Sequence, residues 1–265
     1  MLNLIFAEFY KLKRSKGIKL CFGFTVICSI SMAIISHNVA IGKLNLSISG
    51  SASGLSEVVI MSLIGSIMTG ILVCNDFETK TIHDEIIGGN GRKSIVYSKA
   101  IVFSICIALL LLPYIVVTFI GCSSDLEFSK LAGSSGFMNI IVENKSLDFS
   151  AFNVGRILLI SITLIIVYIG RISLCIPIAF KSRKPMIVMS VGFGLSTLVD
   201  IFIGLLGDIS GVSKIILLTP YSREYLLISM ETEFTMILKA MVVNIIFTII
   251  MIYITYKIFR KSEIK

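Results

Sequence analysis

The residues best equipped for chemistry sit together in one polar island, Asn75 to Ala100, reading NDFETKTIHDEIIGGNGRKSIVYSKA. It holds four acids, one histidine, four Lys or Arg residues and a glycine cluster, in a chain whose other long stretches are apolar. A phosphate-cradling loop needs glycine directly before the lysine of G-x-x-x-x-G-K-[ST]; in GGNGRKS, Arg92 intervenes and the match fails. A zinc site needs ligand spacing such as H-E-x-x-H, which neither His83 nor His37 offers. No G-x-S-x-G nucleophile elbow is present either. The chain is therefore expected to carry no catalytic residue, bound cofactor or metal.

The island reads better as a docking element. Asp76 is expected to N-cap a helix over 77–87, with Glu78 in the first turn, where the helix dipole favours an acid, and Gly88-Gly89 ending it. Phe77, Ile82 and Ile86 would then be exposed among charged neighbours as a small surface for another protein, a use for apolar side chains that a merely solvated loop lacks.

What must position this element is a membrane domain. The 265 residues are 55% hydrophobic and 15% charged, with mean hydropathy +0.96, whereas a soluble domain is about a quarter charged. A spanning helix needs about 20 apolar residues. Six such runs predict an all-α integral membrane protein with spans over about 18–36, 57–75, 99–121, 155–180, 186–207 and 238–256, in a single domain covering 1–265. The runs are apolar on every side, unlike the alternating strands of a barrel. Residues 20–36 follow a basic leader, but the run exceeds a signal-peptide core and no clean cleavage site follows, so it is expected to be retained.

Sixteen Lys and Arg residues fall on one side of these spans and seven on the other, which puts both termini and the island in the cytoplasm. The +8 charge thus reports topology and attraction to anionic headgroups. No aromatics interleave the basic residues as single-strand binders require, so no nucleic-acid partner is expected. The six cysteines lie in or at the ends of spans without a C-x-x-C pair and read as packing residues.

Before the first span, residues 1–17 form an amphipathic interfacial helix. Leu2, Ile5, Phe6, Phe9 and Leu12 make its apolar stripe, while Asn3, Glu8, Lys11 and Arg14 lie elsewhere on the wheel. Three outward segments, 37–57, 122–156 and 208–239, join the spans. The last contains KIILLTPYSREYLLISM, too short and interrupted to span, which predicts an interfacial or re-entrant helical hairpin broken at Pro220. Small residues recur every fourth position at Ser62, Ser66 and Gly70, and again at Ser190 with Gly194 and Gly192 with Ser196. They suit close helix packing, or the lining of a substrate cavity. Two charges lie inside spans, Arg171 in the fourth and Asp200 in the fifth; the tight 181–185 connection makes these helices antiparallel neighbours and predicts an interhelical ion pair.

The layout resembles the ABC-2 type transporter permeases, most of all the short bacterial permeases of bacitracin and lantibiotic efflux and immunity. The likeness rests on the E-F-Y-K-L-K-R run from Glu8 to Arg14, the six spans, and the D-F-E-T-K-T-I…G-R…Y-S-K pattern from Asp76 to Lys99. It implies that 1–17 is an elbow helix, with Phe6, Glu8, Phe9 and Lys11 at the interface. It implies that 76–91 is a coupling helix set into a separate ATPase, with Asp76, Phe77, Glu78, Thr81, Ile82, Ile86 and Arg92 at that contact. It implies a helical break between spans five and six, a second permease copy or sister permease, and membrane lipids around them. ATP and magnesium would belong to the partner ATPase, and this chain would be a permease of the bacterial cell membrane, not an enzyme. The sequence departs from the pattern at Gly88-Gly89-Asn90-Gly91, a looser turn before Arg92 than the family uses. The alternative is a secondary transporter driven by an ion gradient, which would use Arg171 and Asp200 on its path but would need two repeated halves that this sequence lacks.

Overall fold

A computed structural model describes residues 1–44, 56–124, 126–129, 135–143, 150–206 and 210–262, apart from the side chains of Ser210 and Val212. Parts of all three outward segments, the residue expected to end span five at 207, and residues 263–265 lie outside the described set. The described residues form helices without strands, and six of the helices are long and apolar enough to cross a membrane. The chain is a multi-pass membrane protein.

Helix α1 is Leu2–Arg14, separated by Ser15 from the first span, α2, Lys16–Ala40. The second span, α3, is Glu57–Glu78, and a short helix α4, Thr81–Ile87, follows it. The third span, α5, is Arg92–Ser123. A buried helix α6, Phe137–Glu143, precedes the fourth span, α7, Ala151–Ser182. The fifth span, α8, is Pro185–Leu206; α9, Ser210–Ile216, leads to a 3-10 turn at Arg223–Tyr225, and the sixth span, α10, is Phe234–Lys261. The expected hairpin at 208–239 is corrected: past Pro220 the chain makes that single turn and buries Tyr225, Leu226 and Ile228.

Several spans run further than uncharged runs suggest. In lipid a backbone must satisfy its own polar groups, and nothing in that requirement stops a helix at the membrane boundary. So α5 starts at Arg92, not near 99, and α10 continues to Lys261. Two irregularities have local causes. Pro177 cannot donate to the Ser173 carbonyl, which takes the Ile176 amide at 3.1 Å, and α7 tightens into a turn there. Within α3, Gly70–Cys74 widens into a π turn.

Helices α3, α5 and α7 carry most of the core, with Met61, Ile64, Ile107, Leu111, Leu164 and Val167 fully buried. The small residues at Ser62, Ser66, Gly70, Gly192 and Ser196 serve packing, whereas Ser190 is exposed and Gly194 has no neighbour within 4 Å of where its β-carbon would stand. A β-carbon at Gly192 would stand 2.7 Å from Cys175 Sγ and 3.1 Å from Ser66 Cβ, and the Ser62 and Ser196 hydroxyls share a 2.9 Å hydrogen bond between α3 and α8. Where α10 ends, Phe77, Phe180 and Phe259 tie α3, α7 and α10 together in edge-on contacts, with ring centroids 5.1 to 6.1 Å apart.

Candidate functional site

The polar island and α1 meet in one buried ionic cluster. The centre is Lys99, a full turn and more inside α5, whose side chain is 1% exposed. Its ammonium donates to Asp76 Oδ2 at 2.5 Å, to Glu8 Oε1 at 3.2 Å and to the Leu72 carbonyl at 3.1 Å. Lys11, at the rim, donates to Glu8 Oε1 at 2.9 Å, Asp76 Oδ2 at 3.0 Å and Glu85 Oε1 at 3.3 Å. Five side chains from α1, α3, α4 and α5 are thereby held at one point. Burial of charges is tolerated because each ammonium spends its donors on carboxylates or a carbonyl.

Local sequence explains how each group arrives. Glu8 stands four residues from Leu4 and four from Leu12, so one face of α1 presents Leu4, Glu8 and Leu12 to the bundle. Asp76 extends from the last turn of α3. Lys80 then adopts a left-handed conformation, φ 59°, which breaks the helix and folds α4 back so that Glu85 reaches Lys11. Cluster electrostatics follow from the count of three carboxylates against two ammonium groups. Burial works to lower the Lys11 pKa, but the hydrogen bond and charge of Glu8, joined by Asp76, outweigh it and hold the pKa above the ordinary lysine value. Burial raises the Glu85 carboxyl above the usual range, with Lys99 and Lys11 opposing it. The carboxylates of Glu8, Asp76 and Glu85 lie within 4.8 Å of one another, as a cation site requires, but the two ammonium groups already sit among them.

Several expectations for the island need correction. Asp76 does not cap a helix: α3 runs on to Glu78, and Asp76 faces inward to Lys99. Phe77 is half-buried, not exposed, since it packs on Phe180 and Phe259 with the Arg183 guanidinium 5.2 Å from its ring centre. Ile82 is fully buried and Ile86 half-buried, because α4 lays that face on the bundle. Arg92 opens α5 and donates to the carbonyls of Phe259, Arg260 and Ser262 at 2.7 to 3.1 Å, closing the end of α10. Thr81 is half-buried, its hydroxyl 2.9 Å from that of Thr79. What α4 and its flanks leave outward includes Glu78, Thr79, Lys80, Asp84, Ile87, Gly88 and Gly89, with Ile87 83% exposed. On α1, Phe6 is exposed and Phe9 half-buried, whereas Glu8 points into the bundle because its partner Lys99 is there.

Arg171 and Asp200 do come together. Arg171 Nη2 donates to both Asp200 oxygens, at 2.6 and 2.7 Å, between α7 and α8. Tyr221 lies over the guanidinium, 4.8 Å from ring centre to Cζ, and donates its hydroxyl to the Arg171 carbonyl at 3.0 Å. Burial pushes the Tyr221 hydroxyl up to about 12, which keeps it a neutral donor. At the opposite end of the bundle from the ionic cluster, Glu57 receives the Phe137 amide at 2.9 and 3.0 Å and the Tyr168 hydroxyl, so that it caps α6. Gly136 makes room for this: its φ is +62°, and a β-carbon there would fall 1.6 Å from Glu57 Oε1.

Neither a scan of protein-family models nor a search of curated proteins finds a match to this chain. The ionic cluster ties the helices around it together: it fixes α1, α3, α4 and α5 as one unit.

Proposed function

We propose that this chain is the membrane-spanning permease subunit of an ATP-driven ABC exporter for an antimicrobial peptide, antibiotic or other amphiphile. A separate ATPase, with its own ATP and magnesium, would act on α4 from the cytoplasm, where the excess of Lys and Arg places both termini. The observation that carries this reading is the mounting of α4: it stands between two spans, shows Ile87 and Gly88-Gly89 outward, and is clamped through Glu85 and Lys11 to Glu8 of α1 and Asp76 of α3, and through those two acids to Lys99 of α5. A force applied to its outer face is delivered to three elements at once, which is the kind of two-state coupling a driven permease needs. The ATPase contact is accordingly assigned to Glu78, Asp84 and Ile87, not to Phe77 and Ile82. A second permease copy would complete the translocation path, since α8 and α10 leave most of their apolar surface outside the chain's own core.

The test is a photo-crosslinking residue placed at Ile87 in cells. The expected adduct is a protein with a phosphate-binding loop, and Ile87→Asp removes both the adduct and ATP-dependent export of a fluorescent amphiphile. Purified chain that alone moves the same dye in vesicles under a proton or sodium gradient would overturn the reading. That outcome would favour the ion-gradient alternative built on Arg171 and Asp200.

A further inference from the structure

At the junction of α1 and α2, an open groove of about 430 Å³ runs between α1, α2 and α5. Phe9 and Leu12 come from α1, Ile18 and Phe22 from α2, and Cys106, Leu109 and Leu110 from α5; the floor is apolar throughout. Two lysines, Lys13 and Lys19, complete its lining. Both are exposed, and among the described residues neither ammonium group forms a hydrogen bond or an ion pair. Lys11, two residues from Lys13, is by contrast fully engaged with carboxylates. The chain thus devotes one lysine of this helix to its own acids and leaves the next one free beside an apolar channel.

From this we infer that the groove is a binding site for one anionic glycerophospholipid, with an acyl chain along the Phe22–Leu109 wall and the headgroup phosphate between Lys13 and Lys19. An apolar floor alone would accept any lipid tail. The two free ammonium groups at its edge supply the selectivity, because a phosphate that carries net negative charge gains from them what a zwitterionic headgroup largely cancels. The bend at Ser15 sets the two lysines on either side of the helix junction, one on the last turn of α1 and one on the first turn of α2. A lipid held there would brace α1, whose other face presents Glu8 to Lys99. Occupancy is in this way connected to the ionic cluster through a single helix. The inference does not depend on what the protein transports or on what drives it.

The chain contains no tryptophan, so Leu109→Trp installs a single reporter at a position already half-exposed on the groove wall. In nanodiscs, brominated phosphatidylglycerol should quench this tryptophan with an apparent affinity on the order of tenfold tighter than brominated phosphatidylcholine. Adding Lys13→Gln and Lys19→Gln should bring the two lipids to equal affinity; both lysines are exposed, so the fold survives the change. Leu198→Trp, on the exposed face of α8, should show no headgroup preference in any background. Three results would each overturn the inference: equal quenching by the two lipids at position 109, a preference that persists without the two lysines, or the same preference at position 198. Inorganic phosphate that abolishes the preference at equimolar concentration with the lipid would also do so, since it would mean that the lysines hold phosphate without any contribution from the groove.

Discussion

Lys99 Nζ and the carbonyl oxygen of Leu72 lie 3.1 Å apart, which joins α5 to α3 within the stretch where α3 widens into a π turn. A widened turn tilts carbonyls off the regular ladder, and an inserted side chain can take one of them. Lys99 does so while also neutralising Asp76 and Glu8, so a single ammonium joins a backbone irregularity to the ion pairs that hold α1 and α4.

Replacing Lys99 by Met should therefore be among the most damaging single changes in the protein. It leaves two buried carboxylates with only Lys11 between them, and breaking a buried pair from one side costs about 3 kcal/mol. The expected result is a clear fall in Tm in detergent. Asp76→Asn, which keeps an acceptor for both lysines, should lower Tm by less. Equal losses in the two variants would show that the ammonium is not the hub of the cluster.

Alkaline pH offers a gentler probe of the same contacts. Lys11 has a folded-state pKa above its ordinary value of 10.5, so its stabilising contribution is complete below that value and is lost as pH rises toward the folded one. Glu85 works in the opposite sense. Its raised folded pKa means that the folded state binds the proton more tightly, so it adds stability below the ordinary carboxylate value of 4.5 and loses that addition as pH rises past it. Thermal unfolding followed above pH 10 should show a decline that Lys11→Met flattens. Glu85→Gln should be neutral or mildly stabilising at pH 7.

Much of the membrane layout was legible in the sequence, because a run of about 20 apolar residues has few alternatives to a spanning helix. The Arg171–Asp200 pair was legible for a related reason: a tight turn fixes two helices as antiparallel neighbours, and helical rise then puts the two charges within reach. The ionic cluster was not legible. Glu8 and Lys99 are 91 residues apart, and nothing local to either names its partner. A charged residue at the edge of an apolar run reads as a boundary, and so the span expected from about 99 begins in the structure at Arg92. Ile82 and Phe77 were misread for the same reason. Apolar residues among charges look exposed until the charges are seen to face one another.

For the intramembrane pair the two single replacements should differ. The Arg171 side chain is 1% exposed and that of Asp200 is 35% exposed, so Asp200→Asn, which strands a buried guanidinium, should cost more than Arg171→Gln. Arg171 Nε and Nη1 have no hydrogen-bond partner and depend on Tyr221 for their remaining favourable contact. The double variant should recover part of the loss, with a coupling of about 1 to 3 kcal/mol in a double-mutant cycle. A strictly additive cycle in detergent unfolding would mean that the two charges contribute independently.

Arg92 ties the start of α5 to the end of α10. Its guanidinium donates to three carbonyls at the C-terminal end of α10, where the helix dipole leaves negative partial charge, and lies 5.6 Å from the centre of the Phe259 ring. Arg92→Ala should free those carbonyls and fray the final turn, at a cost of about 1 kcal/mol. Hydrogen exchange should speed up at residues 259–262 while the amides around Met61 and Ile64 keep their protection. Arg92→Lys should restore only part of the protection, because all three carbonyls are reached from Nη1 of a planar guanidinium that also lies over the Phe259 ring, and an ammonium on a flexible stem holds that position less firmly. Unchanged exchange at the end of α10 in Arg92→Ala would return Arg92 to the outer surface and reopen it as a contact for a partner protein.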